Sequence, residues 1–339
     1  MKICFIICWF GKLPDYFSVW MKTCRYNPNI EFMVFTDAVT NKELPKNIKL
    51  IRFTMPMLKE RIKKIVIDGA RISEAYRVCD FRPMYGKLFH EELKGYDFWG
   101  YCDLDVVFGD IEHILVEKDL NKDAIFNYGH FTLIKNSTRM NELYKEKGAL
   151  FNYKTVSKHE AIFAFDETTG IQRIARYNNI DARYGIPYIE TETKYTQLRS
   201  RMDAINPDKQ VYYWENGKLY RAKLENGEMF YQEIAYMHLQ KRKLDICDEC
   251  VVESNSFWIT PYGFTTKNYL GKPKEEDFDK YNHDDGAKVR VKEEKIYKKN
   301  KIKTILKRNP FQIYVRIKQQ FAGINSGDSS REELPWIRY

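Results

Sequence analysis

Two aspartates separated by one residue, Asp103 and Asp105, offer the clearest chemistry in this sequence of 339 residues. In a strand or an extended turn, residues i and i+2 project to the same side, so the two carboxylates would lie together. They would repel each other unless a cation joined them. Mg²⁺ and Mn²⁺ bind carboxylate oxygens of a protein and phosphate oxygens of a substrate, and such an ion offsets the charge on a departing diphosphate. The pair therefore indicates a site for a divalent cation and a phosphorylated substrate.

The alternative interpretation of this pair is a solvated acidic turn, since two acids at this spacing are common. The flanking residues favour the metal site. An apolar segment, 98–102, precedes the pair, and a second one, 106–108, follows it. A turn between two apolar strand patterns is more typical of a buried site than of an exposed loop.

His238 is a candidate metal ligand, because imidazole is a common metal ligand and this histidine stands among several bases after a long β-like region. A structural histidine at a strand end is the alternative. Lys241 and Arg242 follow closely and are candidates for pairing with a diphosphate. They could instead begin a solvated helix.

Asp166 and Glu167 are the candidate catalytic acids for an acceptor. Such acids can act as a base for a hydroxyl group or can stabilise positive charge that develops on a transferred group. Acids are also favoured at a helix N-terminus, which is the alternative role for this pair. His159 and Glu160 are weaker candidates for the same chemistry.

The N-terminal elements predict an open α/β sheet that positions these residues. Strands are predicted at 3–9, 30–35 and 48–53, with a helix over 15–26. Such sheets bind ligands at the carboxyl ends of their strands. The candidate nucleotide-binding residues there are Trp9, Phe10 and Gly11 after the first strand and Asp37 after the second, where an acid can also be a simple cap.

Further elements are predicted along the chain. Helices are expected over 83–94 and from Glu167 onward. Residues 211–236 alternate aromatic and polar side chains around two Asn-Gly pairs, which predicts a three-stranded meander.

An apolar strand that ends in Asp-x-Asp, after a Rossmann-like half, resembles the GT-A-fold nucleotide-sugar glycosyltransferases. The order of further motifs is similar to the glycogenin-like family 8 and its bacterial relatives. In that resemblance, Lys87 of Tyr85–Phe89 contacts the donor, Asn127 lies beside the donor sugar, Phe165-Asp166-Glu167 stands on the acceptor side, and His238 completes the metal site. The Lys-Pro-Trp that follows the histidine in family 8 is absent here. Which base contacts the diphosphate, and the stereochemical outcome, therefore stay open.

The resemblance implies a GT-A catalytic domain over residues 1–245, with a donor-binding half at about 1–110 and an acceptor side at 111–245. It also implies Mn²⁺ or Mg²⁺ as cofactor and UDP as the carrier of the donor sugar. The acceptor would be a saccharide or a lipid-linked saccharide in the synthesis of a bacterial surface polysaccharide such as a capsule. Residues 246–339 would form a C-terminal extension.

Two other functions compete with this one. The first is another metal-dependent nucleotide-sugar enzyme, such as a nucleotidyltransferase, although a glycine-rich phosphate loop after the first strand is lacking. The second is a non-enzymatic protein that binds an anionic surface. No known nucleic-acid-binding motif occurs, so nucleic acid is not an expected partner.

Positive charge is concentrated near the C-terminus. Residues 288–318 contain twelve Lys or Arg and two Glu, whereas the whole chain has a net charge of +9. Apolar residues interleave with these bases, and Pro310 is expected to divide the segment into two short amphipathic helices. The segment could bind an anionic membrane surface or pack on the body of the protein. The short N-terminal apolar run and the seven cysteines favour a cytoplasmic location, peripheral to the inner face of the membrane if the segment docks there.

Overall fold

The computed structural model describes residues 1–115, 117–193, 195–203, 205–240, 242, 244–269, 271–282, 299, 308–325 and 335–338. Over these residues the protein is an α/β structure with two open seven-stranded sheets and one three-stranded sheet. The predicted α/β class is therefore confirmed.

The first sheet forms the centre of the N-terminal region. In spatial order its first four strands are parallel, the fifth is antiparallel to the fourth and to the sixth, and the seventh is parallel to the sixth. The three predicted N-terminal strands are its first three members. In spatial order the sheet contains β3 (Ile48–Arg52), β2 (Ile30–Thr36), β1 (Ile3–Trp9), β4 (Phe98–Cys102), β7 (Phe131–Lys135), β6 (Ala124–Phe126) and β8 (Ala182–Tyr184).

Both faces of this sheet are covered, which explains why its strands read as continuous apolar runs. Ile3, Phe5 and Ile7 of β1 pack in one hydrophobic cluster, whereas Cys4 and Ile6 pack in another on the opposite face. The covering helices are short, and they are α1 (Phe17–Arg25), α2 (Met55–Ile65), α3 (Tyr85–Leu88), α4 (Ile111–Ile114), α5 (Glu117–Leu120), α6 (Thr138–Asn141), α7 (Tyr153–Lys158) and α8 (Ile171–Tyr177), with 3-10 helices at Ala75–Met84 and Leu143–Lys145.

The second sheet contains the predicted meander. Both Asn-Gly pairs form its tight turns, with positive φ at Asn216 (48°) and Asn226 (52°). The predicted boundary at residue 245 falls in a short strand at the edge of this sheet, and later strands continue the same sheet. Its spatial order is β14 (Asp245–Ile246), β16 (Gly263–Thr265), β15 (Ser256–Thr260), β10 (Lys209–Glu215), β11 (Lys218–Glu225), β12 (Glu228–Ile234) and β17 (Ile337–Arg338).

A small third sheet links the other two. It consists of β5 (Val106–Phe108), β13 (Tyr236–His238) and β9 (Tyr188–Glu190), with β13 in the middle. Since β13 follows the meander and β5 follows β4, this sheet brings the end of the second sheet to the edge of the first.

Two predicted helices differ from the structure. The helix expected over 83–94 is instead the end of the 3-10 helix Ala75–Met84 followed by α3, which ends at Leu88. The helix expected from Glu167 begins only at Ile171, because residues 165–170 form a turn in which Ile171 N donates to Phe165 O at 2.8 Å.

The C-terminal region adds α9 (Cys250–Glu253), α10 (Glu275–Asn282) and α11 (Pro310–Asn325). α11 packs on the body: the ring of Phe311 stacks on His159 at 4.3 Å, and Gln312 Nε2 donates to Glu160 O at 2.6 Å. Pro310 is the first residue of α11, a position where its missing N–H is harmless. Most of the predicted basic segment, 288–307, lies outside the described residues. Among the helices that the structure describes, none is long and apolar enough to cross a membrane.

Candidate metal centre

Asp103, Asp105 and His238 converge at the carboxyl end of β4. Their candidate ligand atoms all lie within 4.8 Å of one another. His238 Nε2 is 3.4 Å from Asp105 Oδ1 and 3.8 Å from Asp103 Oδ2. Asp105 and His238 are each only 7% exposed. The three residues that sequence reasoning grouped as metal ligands therefore lie together.

Strand pairing explains this convergence over a long sequence separation. β13 is antiparallel to β5, and the register places His238 opposite Val106, next to Asp105. The main chain supports the arrangement, because Leu239 N donates to Asp105 O at 2.8 Å. The pairing of β5 with β13, which follows the meander, thus fixes the position of Asp105 relative to His238.

The donor set suits a divalent cation. Two carboxylates are typical ligands of Mg²⁺ and Mn²⁺, and an imidazole shifts the preference from Mg²⁺ toward Mn²⁺. Burial disfavours the charged imidazole of His238. The hydrogen bond and charge of Asp105, with the charge of Asp103, outweigh that effect and raise the pKa of His238. Binding of a cation by His238 Nε2 therefore competes with binding of a proton.

Arg82, which the sequence analysis did not single out, joins a candidate metal ligand to a candidate catalytic acid. Its Nη2 donates to Asp103 Oδ1, while its Nη1 donates to Gly129 O at 2.6 Å and to Asp166 Oδ2 at 3.2 Å. Its side chain is only 12% exposed. Arg82 lies in the 3-10 helix before α3, so the basic residue at the site comes one turn earlier than Lys87.

Asp166 and Glu167 enter the same site from the turn before α8. Burial raises the pKa of Asp166 well above its ordinary value, although the charge of Arg82 acts in the opposite direction. Burial, together with repulsion from Glu190, raises the pKa of Glu167 to about 7. A carboxyl group that titrates near neutrality can accept and release a proton under physiological conditions.

The loop after β6 approaches this acid pair closely. A Cβ on Gly129 would lie 2.5 Å from Asp166 Oδ2 and 3.2 Å from Glu167 Oε1, so only glycine fits there. Tyr128, in this loop, and Ala164, two residues before Asp166, have positive φ values of 61° and 49°. Such backbone conformations in non-glycine residues cost about 1–3 kcal/mol each and are concentrated at functional sites.

These residues line one cavity of about 690 Å³, a size typical of ligand pockets. Trp9 and Phe10, at the carboxyl end of β1, form part of its wall. Arg316 of α11 also lines it. The C-terminal helix therefore contributes to the wall of the candidate site.

Several predicted donor-binding residues lie outside this lining. Gly11 N donates to Asp37 Oδ1 at 2.8 Å, so these two residues brace the loop after β1. Lys87 pairs with Glu142 at 2.8 Å. Asn127 is buried and donates to the hydroxyl of Tyr236.

The predictions for Lys241 and Arg242, the two bases after His238, have different outcomes. Lys241 lies outside the described residues. The guanidinium of Arg242 donates to four main-chain carbonyls of the preceding loop, those of Glu192, Tyr195, Thr196 and Gln197. Arg242 therefore holds a loop in place and is not among the residues that line the cavity.

The weaker candidates His159 and Glu160 lie beneath α11, where Ser73 Oγ donates to Glu160 Oε2 at 2.6 Å. Neither is among the cavity-lining residues.

His130 and Glu190 also line the cavity, beside His238, and the sequence analysis did not identify them. Burial, with the charges of His238 and Arg82, holds the pKa of His130 well below its ordinary value, so this imidazole is neutral. Glu190 lies opposite His238 in the parallel pairing of β9 with β13. Glu190 can be identified as a neighbour of His238 only from the register of these two strands.

A larger surface groove of about 1210 Å³ lies at the other end of β1. Its basic residues include Lys22, whose ammonium group donates to Val252 O at 2.9 Å and to Ser254 O. In the described part of the chain, the groups of potential metal ligands lie instead in the smaller cavity. The chemistry is therefore assigned to that cavity.

The chain belongs to DUF6625, a family of unknown function, whose model matches residues 5–268. The match includes Asp103, Asp105, Asp166 and His238, and it ends before α11. Among curated proteins, none matches the sequence significantly.

Proposed function

We propose that this protein is a metal-dependent glycosyltransferase of the GT-A type. It transfers a sugar from a nucleotide-sugar, with UDP as the expected carrier, to a saccharide or lipid-linked saccharide of a bacterial surface polysaccharide. The observation that carries this proposal is the convergence of Asp103, Asp105 and His238 at a strand end, in the same cavity as Asp166 and Glu167. One cavity thus contains a candidate diphosphate–metal site and candidate acids for an acceptor.

Asp103, Asp105 and His238 would hold Mn²⁺ or Mg²⁺. When bound, the ion offsets the negative charge of the departing nucleoside diphosphate. Trp9 and Phe10 offer apolar surface next to this position, where a nucleoside can pack. The donor half of the site is therefore built from the ends of β1 and β4.

Asp166 and Glu167 lie on the proposed acceptor side, where a proton must be removed from the acceptor. In the reaction, the bond between the anomeric carbon and the diphosphate oxygen breaks, and a bond between that carbon and an acceptor oxygen forms. We assign Glu167 as the base that takes the acceptor's hydroxyl proton, because its pKa of about 7 allows it to be ionised at neutral pH. Asp166, held by Arg82, positions the acceptor or stabilises positive charge on the sugar.

A membrane surface is the proposed partner of the C-terminal region. α11 exposes a row of apolar side chains at helical spacing, with Ile313, Ile317 and Phe321 exposed by 40%, 48% and 67%. The adjacent sequence is strongly basic. Both features favour contact with an anionic leaflet, which would place the cavity beside a lipid-linked acceptor.

A thermal-shift screen of nucleotide-sugars, with and without Mn²⁺, tests the proposal. A donor that binds only the folded state stabilises it by about 2.7 kcal/mol at a concentration 100 times its Kd, so the true donor raises the Tm in the presence of Mn²⁺. Release of UDP from that donor supports glycosyl transfer. Release of pyrophosphate from a nucleoside triphosphate and a sugar phosphate would instead identify a nucleotidyltransferase.

A further inference from the structure

A second group of potential metal ligands lies on the Nδ1 side of His238. It consists of His130, Glu190 and His238, whose candidate ligand atoms all lie within 4.8 Å of one another. All three side chains are buried, with exposed fractions of 4%, 8% and 7%. The pairing of β9 with β13 makes Glu190 and His238 register partners, and the loop between β6 and β7 adds His130.

The two ring nitrogens of His238 face different groups. Nε2 lies 3.4 Å from Asp105 Oδ1, whereas Nδ1 lies 3.8 Å from Glu190 Oε1. Nδ1 has no hydrogen-bond partner among the described residues. Each side of this imidazole therefore faces a carboxylate.

His130 supplies another unpartnered nitrogen. Its Nδ1 contacts the hydroxyl of Tyr236 at 2.9 Å, but its Nε2 is buried and has no partner in the described part of the chain. The rings of His130 and His238 lie 4.3 Å apart. Because buried polar atoms are nearly always satisfied, two open nitrogens beside one buried carboxylate point to a missing ligand.

We propose that His130, Glu190 and His238 form a second cation site, which takes a borderline transition-metal ion such as Zn²⁺. Two imidazoles and one carboxylate suit such an ion better than they suit Mg²⁺, and two histidines with one glutamate are an established zinc ligand set. Tyr236 provides the outer contact that orients a ligating histidine. This site goes beyond glycosyl transfer, because it needs neither donor nor acceptor.

Sharing of His238 makes the two sites exclusive. A neutral imidazole has one lone pair and one N–H, so it binds one ion at a time. If Nδ1 binds Zn²⁺, Nε2 carries the proton and is lost to the Asp103–Asp105 site. Zn²⁺ at the second site therefore weakens Mn²⁺ binding at the first without occupying it.

Metal titrations of the full-length protein test the site independently of activity. The parent protein carries Cys247→Ser and Cys250→Ser, because both thiols are exposed and thiolates bind Zn²⁺. Zn²⁺ alone and Mn²⁺ alone are titrated by calorimetry into this parent, into His130→Asn and into the matched variant Asp103→Asn. The asparagine in His130→Asn places its amide near the position of His130 Nδ1, which faces Tyr236, and has no atom at the position of Nε2.

We expect His130→Asn to weaken Zn²⁺ binding at least about tenfold while Mn²⁺ binding stays within about threefold of the parent. Asp103→Asn should show the reverse pattern. In the parent, Zn²⁺ should release bound Mn²⁺, seen as the electron paramagnetic resonance signal of the free ion, and His130→Asn should suppress that release.

Two results would overturn the proposal. Unchanged Zn²⁺ binding in His130→Asn would exclude His130 as a ligand. Equal weakening of both metals would mean that His130 and Glu190 only position His238 for the first site. Should His130→Asn fail to fold, Glu190→Gln, which removes the carboxylate charge and keeps the side-chain shape, carries the same expectations and the same two contrary outcomes.

Discussion

Arg82 and Asp103 form a partly buried ion pair, and the second arm of the guanidinium reaches Asp166. One residue thus connects a candidate metal ligand with a candidate acceptor-side acid. A single positive charge between two carboxylates fixes their separation, and that separation sets the distance between the departing group and the attacking group in the proposed reaction.

Arg82→Lys tests this connection. Lysine keeps the charge but cannot donate in two directions with a planar fork, so the variant should fold yet transfer sugar more slowly. Loss of one hydrogen bond to a charged group, worth about 1.5–3 kcal/mol, corresponds to a decrease of about 10- to 150-fold in kcat/KM. Lys87→Arg, at the neighbouring base that pairs with Glu142, is the control and should have no effect. A native rate in Arg82→Lys would show that the bridge does not matter.

Asp166→Asn and Glu167→Gln test the acceptor side. Neither residue belongs to the proposed metal set, so donor binding with Mn²⁺, measured by thermal shift, should persist while transfer falls. Loss of general-base assistance typically costs about 10²- to 10⁴-fold in rate. If both variants lose donor binding together with the folded signal, the acids serve the architecture of the turn before α8 and not the reaction.

The raised pKa of Glu167 also predicts a pH-dependent stability effect. The ordinary pKa is 4.5 and the folded-state pKa is about 7, so the folded state favours the protonated form. Stability from this group is complete below about pH 4.5 and is lost as pH rises toward 7. Glu167→Gln, which stays uncharged, should therefore stabilise the protein by about 1–3 kcal/mol at pH 8 and have little effect at pH 4. Chemical denaturation at both pH values measures this, and an equal effect at both would contradict it.

Substitutions on the exposed face of α11 test membrane docking. Ile317→Ser with Phe321→Ser should reduce binding to vesicles of phosphatidylglycerol and phosphatidylcholine by about tenfold or more, since each apolar side chain contributes about 1.5–3 kcal/mol when fully buried. The Tm should hardly change because both side chains are exposed. Val315→Ser, on the buried face, is the converse control and should lower the Tm. Undiminished vesicle binding in the double variant would reject α11 as the docking element.

Much of the sheet could be predicted because it depends on local patterns. The apolar runs of β1 to β4 and the Asn-Gly turns of the meander are strong local signals, and Asp103 and Asp105 follow directly from the end of β4. Arg82 could not be predicted in the same way. It lies in the 3-10 helix Ala75–Met84, whereas the sequence pattern predicted a helix only over 83–94, and only the folded chain shows which base faces the acids.

Glu190 and His130, which lie beside His238, could not be predicted from local sequence patterns either. Glu190 is 48 residues away in sequence and becomes a neighbour only through the register of β9 with β13. His130 lies in the short loop between β6 and β7, and only the fold shows that its ring lies against that of His238. Non-local strand pairing decides such contacts, and no periodicity in the sequence records it.

The central claim is that Asp103 and Asp105 hold a catalytic cation. The most direct measurement is UDP release from a panel of UDP-sugars by chelator-treated protein as Mn²⁺ is added back, with Asp105→Asn compared at each concentration. Asp105→Asn should fold as the wild type does, because the substitution keeps the side-chain size. We predict no release without metal, recovery with Mn²⁺ in the wild-type protein, and a rate at least about 100-fold lower in Asp105→Asn. Turnover in the chelated protein, or a near-native rate in Asp105→Asn at the same Mn²⁺ concentration, would contradict the claim.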